Sequence, residues 1–346
     1  VHLKFASKQI NNNIGDFNMK FGVSRRLALA LGMAALTSVV TVDSVLAQDY
    51  PNKPIKLIVP YGPGGGVDIV ARTLADYIST KLGKLVIVEN RVGAGSNVGS
   101  TFVAKADPDG YTLLLGSNAN AVNKSLYPNP GYDATKDLTP IVLVGQVPMV
   151  LLAAPTVSAK NIAELLAQSK AKPGSFNVGS GGSGTAEHLS FELFKRQTGM
   201  DGVHIPYKGG GAVYTDLMGG QIQLFFNNQL GATPHIRSGK LRALGITSPT
   251  RSAALPDVPT FTEQGLPEFK VFVWWGVIGP SGIPKNIVTQ INALFNQAIS
   301  SPEVSKRLES MGAQPKGGTS EMFSNFFNAE VKTWAEVIKL ANIKLD

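Results

Sequence analysis

Short apolar runs alternate with stretches of helical spacing along the chain from residue 55 onward. Ile55-Lys56-Leu57-Ile58-Val59 reads as a buried strand running into Pro60-Tyr61-Gly62-Pro63-Gly64-Gly65-Gly66. Ile69, Val70, Leu74, Tyr77, Ile78 and Leu82 then recur at helical spacing until Gly83 stops them. Leu85 to Val88 reads as a second strand. The loop Gly93-Ala94-Gly95-Ser96-Asn97 leads to a short helix around Gly99–Ala106, and Asp107-Pro108-Asp109-Gly110 makes a turn. Tyr111 to Leu115 is a third strand, ending at Gly116-Ser117-Asn118. Strands alternating with helices predict a parallel sheet with helices on both faces.

The pattern starts again after Ala154-Pro155. Ala159–Ala171 predicts a helix stopped by Pro173-Gly174, and Ser175-Phe176-Asn177-Val178 a strand. Gly179-Ser180-Gly181-Gly182-Ser183-Gly184 is a glycine turn, and Leu189, Leu193 and Phe194 set a helical face after Thr185. Ile205-Pro206-Tyr207-Lys208-Gly209-Gly210-Gly211 leads to a helix through Leu217. Gln221–Phe226 and Leu241–Ile246 are strands, and the chain crosses back near Val271–Ile278. Three helices close it, near 284–300, 302–311 and 319–341, and should pack on the first unit. The expected architecture is α/β: two doubly wound lobes, 48–150 with 272–346 and 151–271, joined by two crossover connections around a cleft.

The start of the chain changes this picture. Met19 opens a secretory signal over residues 19–47. Lys20, Arg25 and Arg26 make a positive region, Leu27–Val42 an apolar core and Val45-Leu46-Ala47 a small-x-small cleavage site before Gln48. Residues 1–18 read as an upstream extension. An exported protein, released into the periplasm, is expected. Hydrophobic residues at 43% against 16% charged fit a packed globular chain. With no cysteine, disulfides and thiolate chemistry are excluded. Of the net charge of +8, five cations against two acids in residues 1–47 carry +3. The rest is thinly spread, without the basic cluster that tracks a phosphate backbone, so no nucleic-acid partner is expected.

The two glycine turns carry the candidate chemistry. Helix first turns have unpaired N–H groups and a partial positive charge. They hold a carboxylate or phosphate without a charged side chain. Turns at 62–66 and 180–184, one on each lobe, therefore predict an anion clamp across the cleft, with Asp68 capping its own turn rather than touching the anion. Other chemistries fit less well. No turn has the lysine of a phosphate-binding P-loop or the three glycines of a dinucleotide fingerprint. Around Ser183 the nucleophile-elbow pattern fails at Thr185. A Ser183–His188 pair oriented by Asp201 or Glu187 leaves an exported hydrolase as an alternative. No His/Asp/Glu cluster has metal spacing, and no metal or cofactor is expected.

Ordered motifs along nearly the whole mature chain resemble the Bug family of periplasmic binding proteins, the substrate-binding subunits of tripartite tricarboxylate transporters. They are Tyr50-Pro51-x-Lys53-Pro54-Ile55-Lys56-Leu57-Ile58-Val59-Pro60, Pro63-Gly64-Gly65-Gly66-x-Asp68 and Val88-Glu89-Asn90-Arg91-x-Gly93-Ala94-Gly95. Further on come Pro108-Asp109-Gly110-Tyr111-Thr112-Leu113, His204-Ile205-Pro206-Tyr207-Lys208-Gly209-Gly210 and Leu255-Pro256-Asp257-Val258-Pro259-Thr260. The resemblance implies a Venus-flytrap fold, a small organic carboxylate as ligand, no enzymatic activity, and membrane permease subunits as partners of a monomer. Carried over by position, it implies contacts from Tyr61, Pro63, Gly64, Gly65, Ser117 and Asn118 in the first lobe. In the second it implies Ser180, Gly181, Ser183, Thr185 and His188, with Tyr207, Lys208 and Asn228 nearby. Trp274-Trp275 sits at the return crossover. Trp274 either stacks on a ring-bearing ligand or packs with Trp275 at the lobe interface. Signalling to a sensor kinase is an alternative role for the same binding fold.

Overall fold

The computed structural model describes residues 50–207 and 210–345. The upstream extension and the signal segment lie outside the described residues, as do Lys208 and Gly209.

The first three strands and the helix after β1 form as the periodicity predicts. β1 (Ile55–Val59) lies between β2 (Val86–Asn90) and β3 (Thr112–Ser117), all parallel. α1 (Gly66–Lys81) follows β1 and buries Val70, Ala71, Leu74, Ala75 and Ile78 on one face. Burying a Leu or Ile side chain such as these contributes about 1.5–3 kcal/mol. α2 (Asn97–Ala104) follows a single 3-10 turn, and α3 (Asn118–Leu126) follows β3 directly.

β4 (Leu138–Ala153) is the longest strand, 16 residues of nearly continuous apolar side chains. At about 3.3 Å per residue it is long enough to serve two sheets. Its first part pairs antiparallel with β9 (Phe272–Pro280) as far as Pro148↔Phe272. From Met149↔Asn228 it pairs with β7 (Leu224–Asn228), and from Val150 also with β8 (Arg242–Ile246). The switch between sheets falls between Pro148 and Met149. Thr247, 1% exposed, ties it down. Its hydroxyl accepts the Met149 N–H at 2.9 Å and donates to the Val271 carbonyl at 2.5 Å.

The second unit adds α4 (Ile162–Ala171), β5 (Asn177–Ser180), α5 (Ala186–Thr198), β6 (Val203–Pro206), α6 (Gly210–Met218) and α7 (Gln229–Arg237). β5 pairs parallel with β6 and β7. The sheet path reads β2-β1-β3-β9-β4-β7-β5-β6. The closing segment holds α8 (Lys285–Ile299), α9 (Pro302–Ser310), the short β10 (Gln314–Pro315) on β4, and α10 (Ser320–Leu340). α10 packs on α3 and β4 and also reaches α5. There Arg196 and Glu336 form a 3.1 Å ion pair. The closing helices therefore touch both units, not the first alone. Among the described residues, no helix is long and apolar enough to cross a membrane.

Candidate functional site

A cavity of about 420 Å³ lies where two helix starts come together. Ser117, Asn118 and Ala119 bring the start of α3 to it. Ser183, Gly184, Thr185 and Ala186 bring the start of α5. First-turn amides leave N–H groups unpaired within a helix, and the macrodipole places about half a positive charge there. The described lining residues carry no ammonium, guanidinium, imidazole or carboxylate group.

Local sequence explains each start. Ser117 ends β3 and caps α3 in a capping box with Asn120. The Asn120 side chain accepts the Ser117 N–H at 2.9 Å and donates to Ser100 at 2.8 Å. The Tyr61 and Ser117 hydroxyls are 2.7 Å apart, and burial raises the Tyr61 phenol above its ordinary range. Thr185 caps α5, accepting the His188 N–H and donating to the Gly182 carbonyl at 2.8 Å. Gly184 has φ +76°, and any Cβ there would run into Leu126 of α3, so only glycine fits. Gly95 lines the cavity within a left-handed run, Ala94, Gly95 and Ser96, with the Tyr127 ring against it.

The first glycine turn takes a different part from the expected one. Pro63, Gly64 and Gly65 are exposed and do not line the cavity. The Gly64 N–H donates to Asp68 at 2.9 Å, so this amide serves a side chain four residues on. Asp68, 2% exposed, also accepts from Arg72 at 2.9 Å and Asn90 at 2.8 Å. The Arg72 bond leads the effects that lower its carboxyl pKa to about 2. Tyr61 and Val67, which flank the turn, do reach the cavity.

The second turn repeats this device. Gly184 N–H donates to His188 Nδ1 at 3.1 Å, again four residues on. Burial, then the charges of His204 and Lys195, lowers the His188 pKa to about 3. The ring stacks on His204 at 3.6 Å. Since Nδ1 accepts from a backbone amide, it is not poised to take a proton from Ser183. Ser180 is fully buried, with Oγ 2.6 Å from His204 Nε2. Ser180, Gly181 and His188 shape the turn without lining the cavity.

Three more expected contacts have structural duties. Asn118 lines the cavity, but its side chain joins α3 to β9. Nδ2 donates to the Phe272 carbonyl at 2.8 Å and Oδ1 accepts the Trp274 N–H at 2.9 Å. Asn228 caps α7 by accepting the Gly231 N–H at 3.0 Å. Tyr207 donates to Asp216 at 2.7 Å, and burial with that carboxylate pushes its phenol up to about 12. Neither Asn228 nor Tyr207 is among the lining residues.

The tryptophan expectation needs correction. Trp274 is fully buried with its ring edge-on to Phe323, Phe326 and Phe327. Its indole N–H donates to Glu330 at 3.1 Å. Successive strand residues face opposite ways, so Trp275 takes the cavity side. It is paired with Ser117 across β3 and β9. Sequence reasoning also passed over Val122, Asn123, Leu126 and Tyr127 of the α3 segment, and Trp334 of α10. Trp334 donates to the same Glu330 at 2.9 Å, which fixes its ring in the wall.

A cavity at converging helix starts in a two-lobed α/β frame, with the long strand β4 shared between two sheets, defines a solute-binding protein. Residues 70–343 match the model of the tripartite tricarboxylate transporter family receptor, TctC. The chain belongs to this family, and to its Bug branch. It is 39% identical over 322 residues to protein BugT of Bordetella pertussis, covering 92% of this chain and 98% of BugT. Among solved structures, R. palustris Rpa4515 with adipate is 31% identical with a TM-score of 0.70, covering 86% of this chain and all of that one. MatC from Rhodopseudomonas palustris with bound malate is also 31% identical, with a TM-score of 0.65, covering 84% of this chain and all of MatC. The family consists of binding proteins, and this one is not an enzyme.

Proposed function

We propose that this protein captures a small organic carboxylate in the periplasm and delivers it to the membrane permease subunits of a tripartite transporter. One observation carries the reading: the starts of α3 and α5 meet at one cavity whose described walls hold no charged side chain. An anion there faces the first turns of α3 and α5, whose leading amides have no partner within their own helix. The adipate and malate held by Rpa4515 and MatC support a carboxylate. The signal segment at 19–47 supports export. We take 48–150 with 272–346 as one lobe and 151–271 as the other, closing on the ligand as a monomer. Closure then follows from the ligand's preference for the closed form.

The test is a thermal-shift screen of refolded protein against carboxylates, each beside its ester. A ligand at a hundred times its Kd stabilises the fold by about 2.7 kcal/mol. The expected result is a shift with one class of acids that its esters do not give. Equal shifts from acid and ester, or none from any acid, would overturn the reading.

A further inference from the structure

The cavity wall has two unlike parts. The polar part is the pair of helix starts with the Tyr61 hydroxyl. Asn123, its amide engaged by the Gly95 carbonyl and Asn97, and Tyr127 lie beside an otherwise apolar part. Val122 and Leu126 come from α3, Leu189 from α5 and Val273 from β9, and the Trp275 and Trp334 rings complete it. The Trp334 indole N–H is engaged by Glu330, so this residue offers the cavity its ring and not its donor. A second carboxylate placed against this surface gives up water and meets no cation among the described lining residues, which is unfavourable. An uncharged ring or branched chain there gains contact area instead, and aromatic faces add their own preference.

Building on the carboxylate reading above, we infer that the ligand is an amphiphilic monocarboxylate. Its single carboxylate sits at the starts of α3 and α5, and its ring-bearing apolar body lies against Trp275, Trp334, Leu126 and Leu189. The ligand class thus differs from the dicarboxylates seen in Rpa4515 and MatC. Leu126 sets the selectivity. It is half-buried, it touches Gly184 at the start of α5, and it lines the cavity.

Calorimetric titration of the refolded protein tests this with benzoate, phenylacetate and 3-phenylpropionate against succinate, adipate and terephthalate, and with the amide of the tightest acid. The tightest ring-bearing monocarboxylate should bind at least about tenfold better than any dicarboxylate and about tenfold better than its own amide. Leu126→Lys supplies a cation for a second carboxylate and should reverse the order in favour of adipate. A dicarboxylate that binds the parent protein as tightly as the best monocarboxylate would overturn the inference and leave carboxylate capture standing. If the amide binds as well as the acid, or if no acid binds, the capture reading falls with it. Should Leu126→Lys not fold, as judged by near-ultraviolet dichroism, the ranking on the parent protein decides the matter alone.

Discussion

Asp68 offers a direct measure of how the first glycine turn is held. Its carboxylate accepts from Gly64, Arg72 and Asn90, and Asn90 also donates to the Tyr61 carbonyl at 2.9 Å. The acid thus ties the turn to the chain entering the cavity wall. Asp68→Asn keeps the shape but turns one acceptor into a donor, which then faces another donor whichever way the amide lies. A carboxyl whose pKa falls from 3.8 to about 2 on folding contributes about 2.5 kcal/mol at neutral pH. The Arg72 side chain is 54% exposed, so water screens its share, and a net loss of about 1–2 kcal/mol is expected. The folded-state pKa is depressed, so the contribution is present above the unfolded value near 4 and disappears as pH falls toward 2. Urea unfolding of parent and variant at pH 7 and pH 2.5 reads both effects. The midpoint gap should be clear at pH 7 and mostly closed at pH 2.5. Equal midpoints at pH 7, or the same gap at both pH values, would refute the reasoning.

Two further changes test buried groups beside the cavity. Burial raises the Glu330 pKa against the pull of two indole N–H groups, so its folded value lies above the unfolded one and the acid weakens the fold as pH climbs through that window. Glu330→Gln keeps an acceptor for both indoles and should match or exceed the parent at pH 7, with its relative advantage smaller at pH 4. A loss beyond about 2 kcal/mol at pH 7 would instead show that the ionised carboxylate holds α10 in place. For His188, with a folded pKa of about 3 against 6.5, stability is complete above pH 6.5 and falls as pH drops toward 3. The stacked His204 and Lys195 oppose its charging, while Glu192 at 3.9 Å favours it. Thermal melts of His188→Gln between pH 4 and 7 should show a flatter decline than the parent, and an unchanged decline would rule His188 out as its source.

Periodicity placed α1, α5 and the closing helices because each buries one clear face, and β1 because it is a short, nearly continuous apolar run buried on both faces. It missed α3, since Asn118-Ala119-Asn120-Ala121-Val122-Asn123 is a polar-looking helix. Asn120 and Asn123 are buried because each has a partner: Asn120 binds Ser100, and Asn123 donates to the Gly95 carbonyl at 2.8 Å. β4 escaped for a different reason. Pro140 and Pro148 interrupt its apolar run, and register shifts beside Pro140 and Gly145 absorb the irregularity. The site residues divide along the same line. Tyr61, Ser117, Ser183 and Thr185 stand at strand ends and caps, which local sequence marks. Trp334 and Leu126 reach the cavity only through tertiary packing. The choice of Trp275 over Trp274 depends on the register of β9, and pairing with Ser117 sets it.

The two glycine turns share a device that explains why the cavity can do without charged walls. In each, a glycine amide is taken by a side chain four residues on, Asp68 in one turn and His188 in the other. Asp68 is an anion at neutral pH, and its charge offsets the positive end of α1. The α1 start is therefore a poor seat for a carboxylate. The imidazole at α5 stays neutral and offsets nothing, so the positive end of α5 remains available. At α3 the capping partner is the neutral amide of Asn120, with the same consequence. The selection of α3 and α5 over α1 thus follows from which cap is charged. It also implies that placing a negative charge at either neutral cap should weaken anion binding without altering the walls.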